Sequence, residues 1–188
     1  MEQLQRLLLD KNLKPYFQKI KGRVLDTGGK HSPYKKFIRA NKYEVLDIVS
    51  DHDPDYVADV HDMKIIKNNT FDSILATELL EHCYNPQKVL DEFYRVLKKK
   101  GVVLLSVPFF FPFHPDPHDY YRYTEEGLFY LFRKFKKVKV IRFGSRATFF
   151  WEMMTWVLPF MKIFNKLLVR FNFNDKNGPS GYIVFAEK

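Results

Sequence analysis

The chain has 188 residues, of which 46% are hydrophobic and 17% aromatic, and its formal net charge is +9 at pH 7. This composition excludes a disordered chain and provides for one full hydrophobic core, so we expect a single domain over residues 1–188. The lone cysteine, Cys83, excludes an internal disulfide, and no secretory signal pattern opens the chain, which together favour the cytoplasm.

The positive charge is concentrated in two places. Residues 133–146 contain seven basic and no acidic side chains, and residues 98–100 add three lysines. Such a field favours an anionic partner, for which nucleic acid, anionic lipid and a phosphorylated substrate are alternatives. A solvated basic face explains the same residues equally well. Because the aromatic pattern of an RNA-binding sheet is missing, nucleic acid is the less favoured partner.

The spacing of leucines in residues 1–20 predicts an N-terminal amphipathic helix. Leu4, Leu7 and Leu8 fall on one side of it, and Pro15 limits its length. A helix that packs across the domain is the favoured interpretation, and a lid over a bound cofactor is the alternative.

A strand, a glycine turn and a helix start follow in that order. A buried strand ends at Asp26, Gly28 and Gly29 form the turn, and Ser32–Pro33 have the residue types of an N-cap and a first helical position. The amides of such a turn point at a bound ligand, while the carboxylate of Asp26 can hold a cationic group. The pattern predicts a nucleotide cradle.

Short apolar runs then alternate with helical patterns, which is typical of a parallel sheet in an α/β domain. Seven strands are predicted near residues 23–26, 43–48, 56–60, 71–77, 102–107, 137–143 and 182–187. Helices are predicted from Ser32, with Phe37 and Ile38 turned inward, from Asn85–Pro86 up to Gly101, and from Thr124. Residues 49–55 are too few for the usual crossover helix, and we interpret this link as one that has lost it.

Five short motifs follow one another between residues 23 and 108. They are Asp26-Thr27-Gly28, Asp47, Tyr56 to Met63, Phe71 to Thr77 with Leu80-Glu81-His82, and Arg95-Val96-Leu97-Lys98 with Gly101. This ordered series resembles the class I S-adenosylmethionine-dependent methyltransferases, in their type 11 branch. The resemblance implies a Rossmann-like seven-stranded, mostly parallel sheet with helices on both faces and an antiparallel last strand. A nicotinamide dehydrogenase is disfavoured because the GxGxxG spacing is absent.

The resemblance implies cofactor contacts at Asp26, Gly28, Gly29, Lys30, Asp47, Asp59, Val60 and Thr77. Asp47 would accept hydrogen bonds from the ribose hydroxyls, as an acid at this strand tip does in dinucleotide sites. Asp59 would accept from the adenine amino group, and the Val60 amide would face the ring. Asp26, Gly28 and Thr77 would lie at the methionine end. For Asp47 or Asp59 taken singly, a loop acid in an Asx-turn is the alternative.

Lys30 departs from the family pattern, which usually has a second glycine at this position. Its side chain would either crowd the cofactor or reach the cofactor carboxylate as an ammonium group. The first outcome leaves a degenerate, non-catalytic binding module as an alternative function.

The segment Pro108–Thr124 follows the fifth strand, at the edge where open α/β sheets bind ligands. It resembles the HxxPxDyyRyT segment of a branch of these enzymes, which implies a wall of the acceptor pocket. His114 is the first candidate catalytic base and His82 the second, although a structural hydrogen bond explains either histidine equally well. The candidate substrate-binding residues are Asp119, Tyr120, Tyr121 and Arg122. An internal ion pair between Asp119 and Arg122 is favoured over direct substrate contact.

The same segment carries His114, Asp116, His118 and Asp119, whose side chains are metal-ligand types. Their spacing matches no zinc pattern, and the surrounding prolines work against convergence. We therefore expect no metal among these four residues.

Residues 147–171 are apolar and aromatic, but Glu152, Pro159 and Lys162 interrupt the run well short of the roughly 20 apolar residues of a membrane span. Lys162, Lys166 and Arg170 recur every four residues, which predicts one shared helical face. A helical insertion over residues 145–178 that covers the substrate side is the favoured interpretation. Peripheral contact with an anionic membrane is the alternative, and a lipid-linked acceptor would satisfy both.

The resemblance to the methyltransferases, together with the acceptor-side segment and the insertion, predicts methyl transfer from S-adenosylmethionine to a small, sugar-linked or lipid-linked acceptor. We expect a cytoplasmic enzyme without a transmembrane segment, with membrane-peripheral contact left open. The alternatives are the degenerate binding module and a nucleic-acid methyltransferase.

Overall fold

The computed structural model describes residues 3–29, 32–115, 117–171 and 173–188. One seven-stranded sheet runs through it, formed by β1 (Gly22–Thr27), β2 (Ala40–Asp47), β3 (Tyr56–Val57), β4 (Phe71–Thr77), β5 (Leu97–Pro108), β6 (Lys136–Phe143) and β7 (Gly181–Glu187). The strand order is β3-β2-β1-β4-β5-β7-β6. The strands β3, β2, β1, β4 and β5 pair in parallel, and β7 is antiparallel to both of its neighbours, β5 and β6. The predicted Rossmann-like sheet with an antiparallel last strand is confirmed.

Helices cover both faces of this sheet. They are α1 (Leu4–Phe17), α2 (Pro86–Val96), α3 (Glu125–Leu131), α4 (Arg146–Val157) and α5 (Asn165–Leu168), with 3₁₀ helices at Lys35–Phe37, Leu80–His82 and Pro159–Phe164. Leucines of α1 pack with Val24, Leu75 and Leu104 on one face, and α2 buries Val89 and Phe93 on the other. Parallel strands covered on both sides must be apolar on both sides, which explains the continuous apolar runs of β4 and β5.

Two predicted helix starts are confirmed by their side-chain caps. Asn85 Oδ1 accepts a hydrogen bond from the Lys88 amide at 3.1 Å, and Thr124 Oγ1 accepts one from the Gly127 amide at 3.1 Å. These bonds satisfy amides that have no partner inside the helix. The end of α2 differs from the prediction, because the chain already enters β5 at Leu97 rather than at Gly101.

The helix predicted from Ser32 is wrong. A single 3₁₀ turn at Lys35–Phe37 takes its place, and Phe37 is 48% exposed while Ile38 is buried. Residues 28–39 must leave β1, cross to the next strand and turn back, which leaves too few residues for a full helix. Residues 48–55 also lack a helix although β2 and β3 pair in parallel, so the interpretation of a lost helix is confirmed. β3 is shorter than predicted and ends at Val57.

The predicted shared face of Lys162, Lys166 and Arg170 is also wrong. Pro159 opens a 3₁₀ helix that runs to Phe164, and α5 spans only four residues after it, so no continuous α-helix carries the three side chains. Glu152 lies buried in α4, where its Oε2 accepts a hydrogen bond from the Leu4 amide at 2.8 Å. This bond ties the insertion to the N-terminus of α1.

Most basic side chains of residues 133–146 have partners within the protein. Lys134 pairs with Asp91, Lys137 with Glu187 and Arg146 with Asp175, each at 2.7 Å. Arg142 pairs with Glu125 as well. These pairs spread the charge over several elements, which removes the support for a dedicated nucleic-acid surface. Among the helices of the described ranges, none is long and apolar enough to cross a bilayer.

Candidate active site

A cleft of about 440 Å³ opens at the carboxyl ends of β1, β2 and β4, where the strand order reverses; we call it the main cleft. Each wall segment directly follows a strand: Gly28 follows β1, Asp47–Val49 end and follow β2, Ala58–His61 follow β3, and Glu78–Leu79 follow β4. The residues Cys83, Tyr84, Pro117, His118 and Tyr120 close the opposite side. Loops at one sheet edge thus form a concave site.

The glycine turn leaves no room for side chains. Gly28 has φ +69°, and a Cβ there would lie 2.9 Å from Cδ1 of Leu79. A Cβ on Gly29 would lie 2.4 Å from Oδ2 of Asp26. The Gly28 amide donates to the Leu46 carbonyl at 2.9 Å, which holds the turn against β2. The predicted contact Lys30 lies outside the described residues.

Asp26 lies beneath this turn rather than on the surface of the main cleft. Its carboxylate is buried, and Oδ2 accepts a hydrogen bond from the Tyr43 hydroxyl at 2.6 Å. Burial raises the pKa of Asp26 to about 6, against the lowering effect of that hydrogen bond. A cationic ligand group above the glycine turn would favour the ionised carboxylate.

Asp47 is buried at the end of β2 with its two oxygens in different states. Oδ1 accepts a hydrogen bond from the Val49 amide at 3.2 Å, which is the Asx-turn geometry considered from sequence. Oδ2 accepts none from the described residues. Since a buried carboxylate oxygen without a donor is costly, this oxygen is suited to a ligand hydroxyl.

Asp59 is partly exposed on the opposite wall of the main cleft, beside Val60. Its Oδ1 accepts from the His61 amide at 2.8 Å and lies 2.6 Å from Nδ1 of His61. Desolvation acts to raise the pKa of Asp59, but these two His61 contacts outweigh it and lower the pKa. Both contacts use Oδ1, which leaves Oδ2 to accept from a ligand amine. His61 in turn stacks on Tyr84, with ring centroids 4.1 Å apart.

Thr77 is not among the residues that line the main cleft; Glu78 and Leu79 take the place expected for it. Glu78 has φ +51°, an unusual backbone conformation for a residue with a side chain. Its Oε1 accepts from the Ser106 hydroxyl at 2.9 Å. Burial raises the pKa of Glu78, against that hydrogen bond and the charge of Arg6.

Glu78 also lines a second cavity of about 190 Å³, between α1, the end of β5 and the end of β6. The other side chains around this second cavity include Gln5, Arg6, Phe111, His114, Phe143 and Ser180. Glu78 is therefore the wall that the two spaces share. Residues of α1 line the second cavity, but none of them lines the main cleft. We therefore interpret α1 as a packing helix and not as a lid over the main cleft.

The 109–124 loop is bonded to the segment around the 3₁₀ helix Leu80–His82. The Tyr120 amide donates to the Glu81 carbonyl at 2.8 Å, and the Tyr123 hydroxyl donates to the Leu80 carbonyl at 2.7 Å. Tyr121 donates through its hydroxyl to the Tyr84 carbonyl at 3.1 Å. Of the candidate substrate residues, Tyr120 lines the main cleft, whereas Asp119, Tyr121 and Arg122 do not.

Asp119 and Arg122 form an internal ion pair. The guanidinium donates to Oδ1 at 2.5 Å and to Oδ2 at 2.8 Å, and it also donates to the carbonyls of Phe111 and Pro112. Arg122 lowers the pKa of Asp119 to about 2. The structure thus contains the ion pair favoured from sequence, and it fixes the conformation of the loop.

The two candidate bases lie close together but face different spaces. His82 lines the main cleft, His114 lines the second cavity, and their ring centroids are 5.1 Å apart. Nδ1 of His82 lies 2.5 Å from the His118 carbonyl, and Nδ1 of His114 lies 3.0 Å from the Pro112 carbonyl. A carbonyl only accepts, so these two contacts use Nδ1 as a donor, although Nδ1 of His114 also lies 3.5 Å from the Arg122 guanidinium.

Sequence reasoning missed several residues of the site. Ile48, predicted as the end of the second strand, and Val49, at the start of the following link, are exposed apolar residues that line the main cleft. Leu79 and Tyr84 were missed because neither the shape of the 3₁₀ turn nor the stacking partner of Tyr84 is visible in sequence. Glu78 was missed because its inward direction depends on its positive φ.

The 145–178 insertion lines neither space among its described residues. It contacts α1 through Glu152, and Phe149 packs against Phe110 of the 109–124 loop with ring centroids 5.5 Å apart. The expected cover over the substrate side is therefore indirect, through the back of that loop.

Comparison with known proteins agrees with this architecture. Residues 37–105 match a family model described as a methyltransferase domain. None of the curated proteins matches the chain.

Solved structures extend the likeness over almost the whole chain. An S-adenosylmethionine-dependent methyltransferase from Archaeoglobus fulgidus is 21% identical with a TM-score of 0.64, and the match covers 97% of this chain and 94% of that one. One from Mesorhizobium loti is 13% identical with a TM-score of 0.66, covering 98% and 100%. Phosphoethanolamine N-methyltransferase 2 of Haemonchus contortus, in complex with S-adenosylmethionine, is 14% identical with a TM-score of 0.61, covering 94% and 51%. At these identities the likeness is one of fold.

Proposed function

We propose that the chain is a class I S-adenosylmethionine-dependent methyltransferase, which its fold and the match of residues 37–105 to a methyltransferase-domain model support, and that it methylates a small or lipid-linked acceptor bound in the second cavity. The observation that carries this proposal is the shared wall at Glu78, where the main cleft and the second cavity meet. Donor and acceptor held on the two sides of this wall would approach each other there. Transfer also requires a passage beside Glu78, because the acceptor nucleophile has to come within about 3–3.5 Å of the methyl carbon.

The residues of the main cleft fit S-adenosylmethionine. The open oxygen of Asp47 suits the ribose hydroxyls, and Oδ2 of Asp59 with the Val60 backbone suits the adenine ring. Gly28 and Gly29 provide a turn whose backbone is exposed to the ligand without side chains, and Asp26 lies below it. The cofactor, when bound, supplies an electrophilic methyl group for in-line displacement.

The chain itself has to align the acceptor and take up its proton when the acceptor is a hydroxyl or amine. His114 lines the second cavity and His82 lines the main cleft, and the Nδ1 contact of each ring leaves Nε2 as the atom that could take up a proton. We assign His114 the role of proton acceptor, with His82 as the second choice. The ion pair of Asp119 with Arg122 keeps the loop that carries His114 in place.

Calorimetric titration with S-adenosylmethionine and S-adenosylhomocysteine tests the cofactor site, and both ligands are expected to bind. Formation of S-adenosylhomocysteine in a screen of small and lipid-linked acceptors tests the transfer. Absence of binding heat together with absence of a thermal shift contradicts the proposed site. Binding without turnover on any acceptor supports the degenerate module instead.

The surface of the 145–178 insertion favours a lipid-linked acceptor. It exposes large apolar side chains that we call the apolar surface: Phe150, Trp156, Val157, Phe160, Ile163, Phe164, Leu167 and Phe171. Val157 is 75% and Phe160 63% exposed. So many exposed large apolar side chains in one segment support an interaction site there.

The charges around the apolar surface match an anionic lipid surface. Residues 153–174 contain Lys162, Lys166 and Arg170 and no acidic residue. Lys11 adds a further ammonium group, bonded to the Val169 carbonyl at 2.9 Å. Aromatic side chains among basic ones are typical of elements that lie in the membrane interface. We therefore propose peripheral binding of this surface to anionic membranes.

Co-sedimentation with vesicles tests this binding. The protein is expected to sediment with phosphatidylcholine vesicles that contain phosphatidylserine, and more weakly with phosphatidylcholine alone or at high salt. Replacing Trp156 and Phe160 by serine should weaken binding at least about tenfold, since each aromatic contributes on the order of 1.5–3 kcal/mol when buried. The matched control replaces Phe129 and Tyr130, exposed aromatics of α3, by serine. Equal loss in both double variants, or no sedimentation of the wild type, contradicts the proposal.

A further inference from the structure

Glu81 is a buried carboxylate without a donor. The residue has no exposed surface, and neither carboxylate oxygen accepts a hydrogen bond from another described residue. An isolated buried carboxylate is strongly unfavourable, so a proton or a cation has to stand beside it. The Tyr120 amide of the 109–124 loop donates to the backbone carbonyl of Glu81 and not to its carboxylate, so this bond does not compensate the buried charge.

Two histidine side chains lie beside this carboxylate. Nε2 of His82 lies 3.7 Å from Oε1 of Glu81. One ligand atom each from Glu81, His82 and His114 lies within 4.8 Å of the other two, and this is the one such group of three found in the described ranges. Lone pairs of nitrogen and carboxylate oxygen that face one another repel unless a positive charge lies between them.

The surroundings of both histidines match those of metal ligands. In metal sites a coordinating imidazole almost always donates its other N–H to a carbonyl or a carboxylate. Nδ1 of His82 faces the His118 carbonyl, and Nδ1 of His114 faces the Pro112 carbonyl with Asp119 Oδ2 at 3.4 Å. In both rings Nδ1 is engaged by protein groups, which leaves Nε2 as the atom that would coordinate a metal.

We infer that Glu81, His82 and His114 form a binding site for a divalent transition metal, with Zn²⁺ as the best match. Two imidazoles and one carboxylate are an established ligand set for zinc, with bonds of about 2.0–2.2 Å that place ligand atoms about 3.4 Å apart. The 3.7 Å between Glu81 and His82 is close to this value, and the three ligand atoms, which lie within 4.8 Å of one another, would draw together around the bound ion.

This site shares only His114 with the four residues considered from sequence, for which no metal was expected. Of those, His118 contributes its backbone carbonyl to His82, Asp119 is committed to Arg122, and Asp116 lies outside the described residues. Glu81 and His82 come from the segment after β4, so the metal would join that segment to the 109–124 loop. Three protein ligands leave a coordination position for water or an acceptor oxygen. In the loaded protein the two histidines would coordinate the metal, so the role of proton acceptor that we propose for His114 or His82 applies to the metal-free protein.

Metal binding is measured without any cofactor or acceptor, so it is independent of the proposed methyl transfer. The protein is stripped with a chelator and titrated with Zn²⁺ by calorimetry and with Co²⁺ by visible absorption. One equivalent of Zn²⁺ is expected to bind, and Co²⁺ should give the absorption of a low-coordinate site. Mg²⁺, which prefers oxygen ligands, should not bind.

Three variants distinguish this site from scattered surface binding. Glu81→Gln and His114→Ala should each weaken Zn²⁺ binding at least about tenfold, since even outer-shell substitutions cost that much. His118→Ala keeps the backbone carbonyl and should bind as the wild type does; circular dichroism checks that all variants fold. No stoichiometric Zn²⁺ binding, or equal affinities in all three variants, overturns the inference. Failure of cofactor binding in the separate titration would leave this result unaffected.

Discussion

Asp47 has one occupied and one open carboxylate oxygen, and this asymmetry makes it the most informative single residue of the main cleft. Asp47→Asn keeps an acceptor for the Val49 amide but replaces the open oxygen by an amide nitrogen. The affinity for S-adenosylmethionine should fall by about 1.5–3 kcal/mol, the usual worth of a hydrogen bond to a charged group. Calorimetry measures the loss. Asp62→Asn, an exposed acid that pairs with Lys64, is the control, and unchanged affinity in Asp47→Asn would show the ribose assignment to be wrong.

Among single residues, the sequence correctly predicts the location of those that lie at or directly after the end of a strand. Asp47 and Gly28 are such residues, because strands of one parallel sheet end at a common edge. Glu78 and the Glu81 carboxylate are different. Their directions depend on a positive φ and on a 3₁₀ turn, and neither leaves a periodic trace in the residue types.

Among the elements, the 109–124 loop depends most on one side chain. Arg122 donates to both oxygens of Asp119 and to two loop carbonyls, and a lysine cannot reproduce this planar fork. Arg122→Lys should lower the free energy of unfolding by about 1–3 kcal/mol. It should also speed amide exchange in residues 109–124 more than elsewhere.

Denaturant titration and hydrogen-exchange mass spectrometry measure these two effects. Arg39→Lys, on an exposed stretch between β1 and β2, controls for the exchange of one basic residue type for another. An unchanged exchange rate in the loop of Arg122→Lys would mean that the backbone bonds of the tyrosines alone hold it.

The elements that sequence predicts correctly are those with a local signal. Asn85 and Thr124 correctly predict the starts of α2 and α3, because a side-chain cap is a short-range interaction that the local sequence determines. Ser32–Pro33 have the same residue types without a helix, since residues 28–39 must also span two strands. In the insertion, Pro159 changes the helix type, so a four-residue repeat of basic residues does not form one face.

At the scale of the whole molecule, buried Asp26 links stability to pH. Its folded pKa of about 6 lies above its usual value of 3.8, so between these values the folded state binds more protons than the unfolded state. The contribution of Asp26 to the free energy of unfolding is therefore fully present below pH 4 and is lost as the pH rises through 6. The loss is on the order of 2–3 kcal/mol.

Asp26→Asn removes this titration while keeping a neutral side chain of the same shape. The free energy of unfolding of the variant, measured relative to the wild type by urea titration, should increase between pH 4 and pH 7. Asp51→Asn, on an exposed loop, is the control: it measures how much the removal of a carboxylate alone changes the pH dependence of the free energy of unfolding. A difference between Asp26→Asn and wild type that stays constant with pH contradicts the assignment.

The sheet itself was predictable because alternation of apolar runs and helices restricts the topology to few solutions. The two internal spaces were not, since they are formed by contacts between segments far apart in sequence. Arg6 of α1 and Ser180 before β7 meet at the second cavity only after the whole sheet has closed.

The shared wall at Glu78 has a consequence for anyone redesigning the protein. A substitution there changes the shape of both spaces at once, so it cannot retune the choice of acceptor while leaving the donor site intact. The far side of the second cavity, at Phe143 and Ser180, lies away from the main cleft. Libraries directed at a new acceptor should start from that side and keep Glu78 constant.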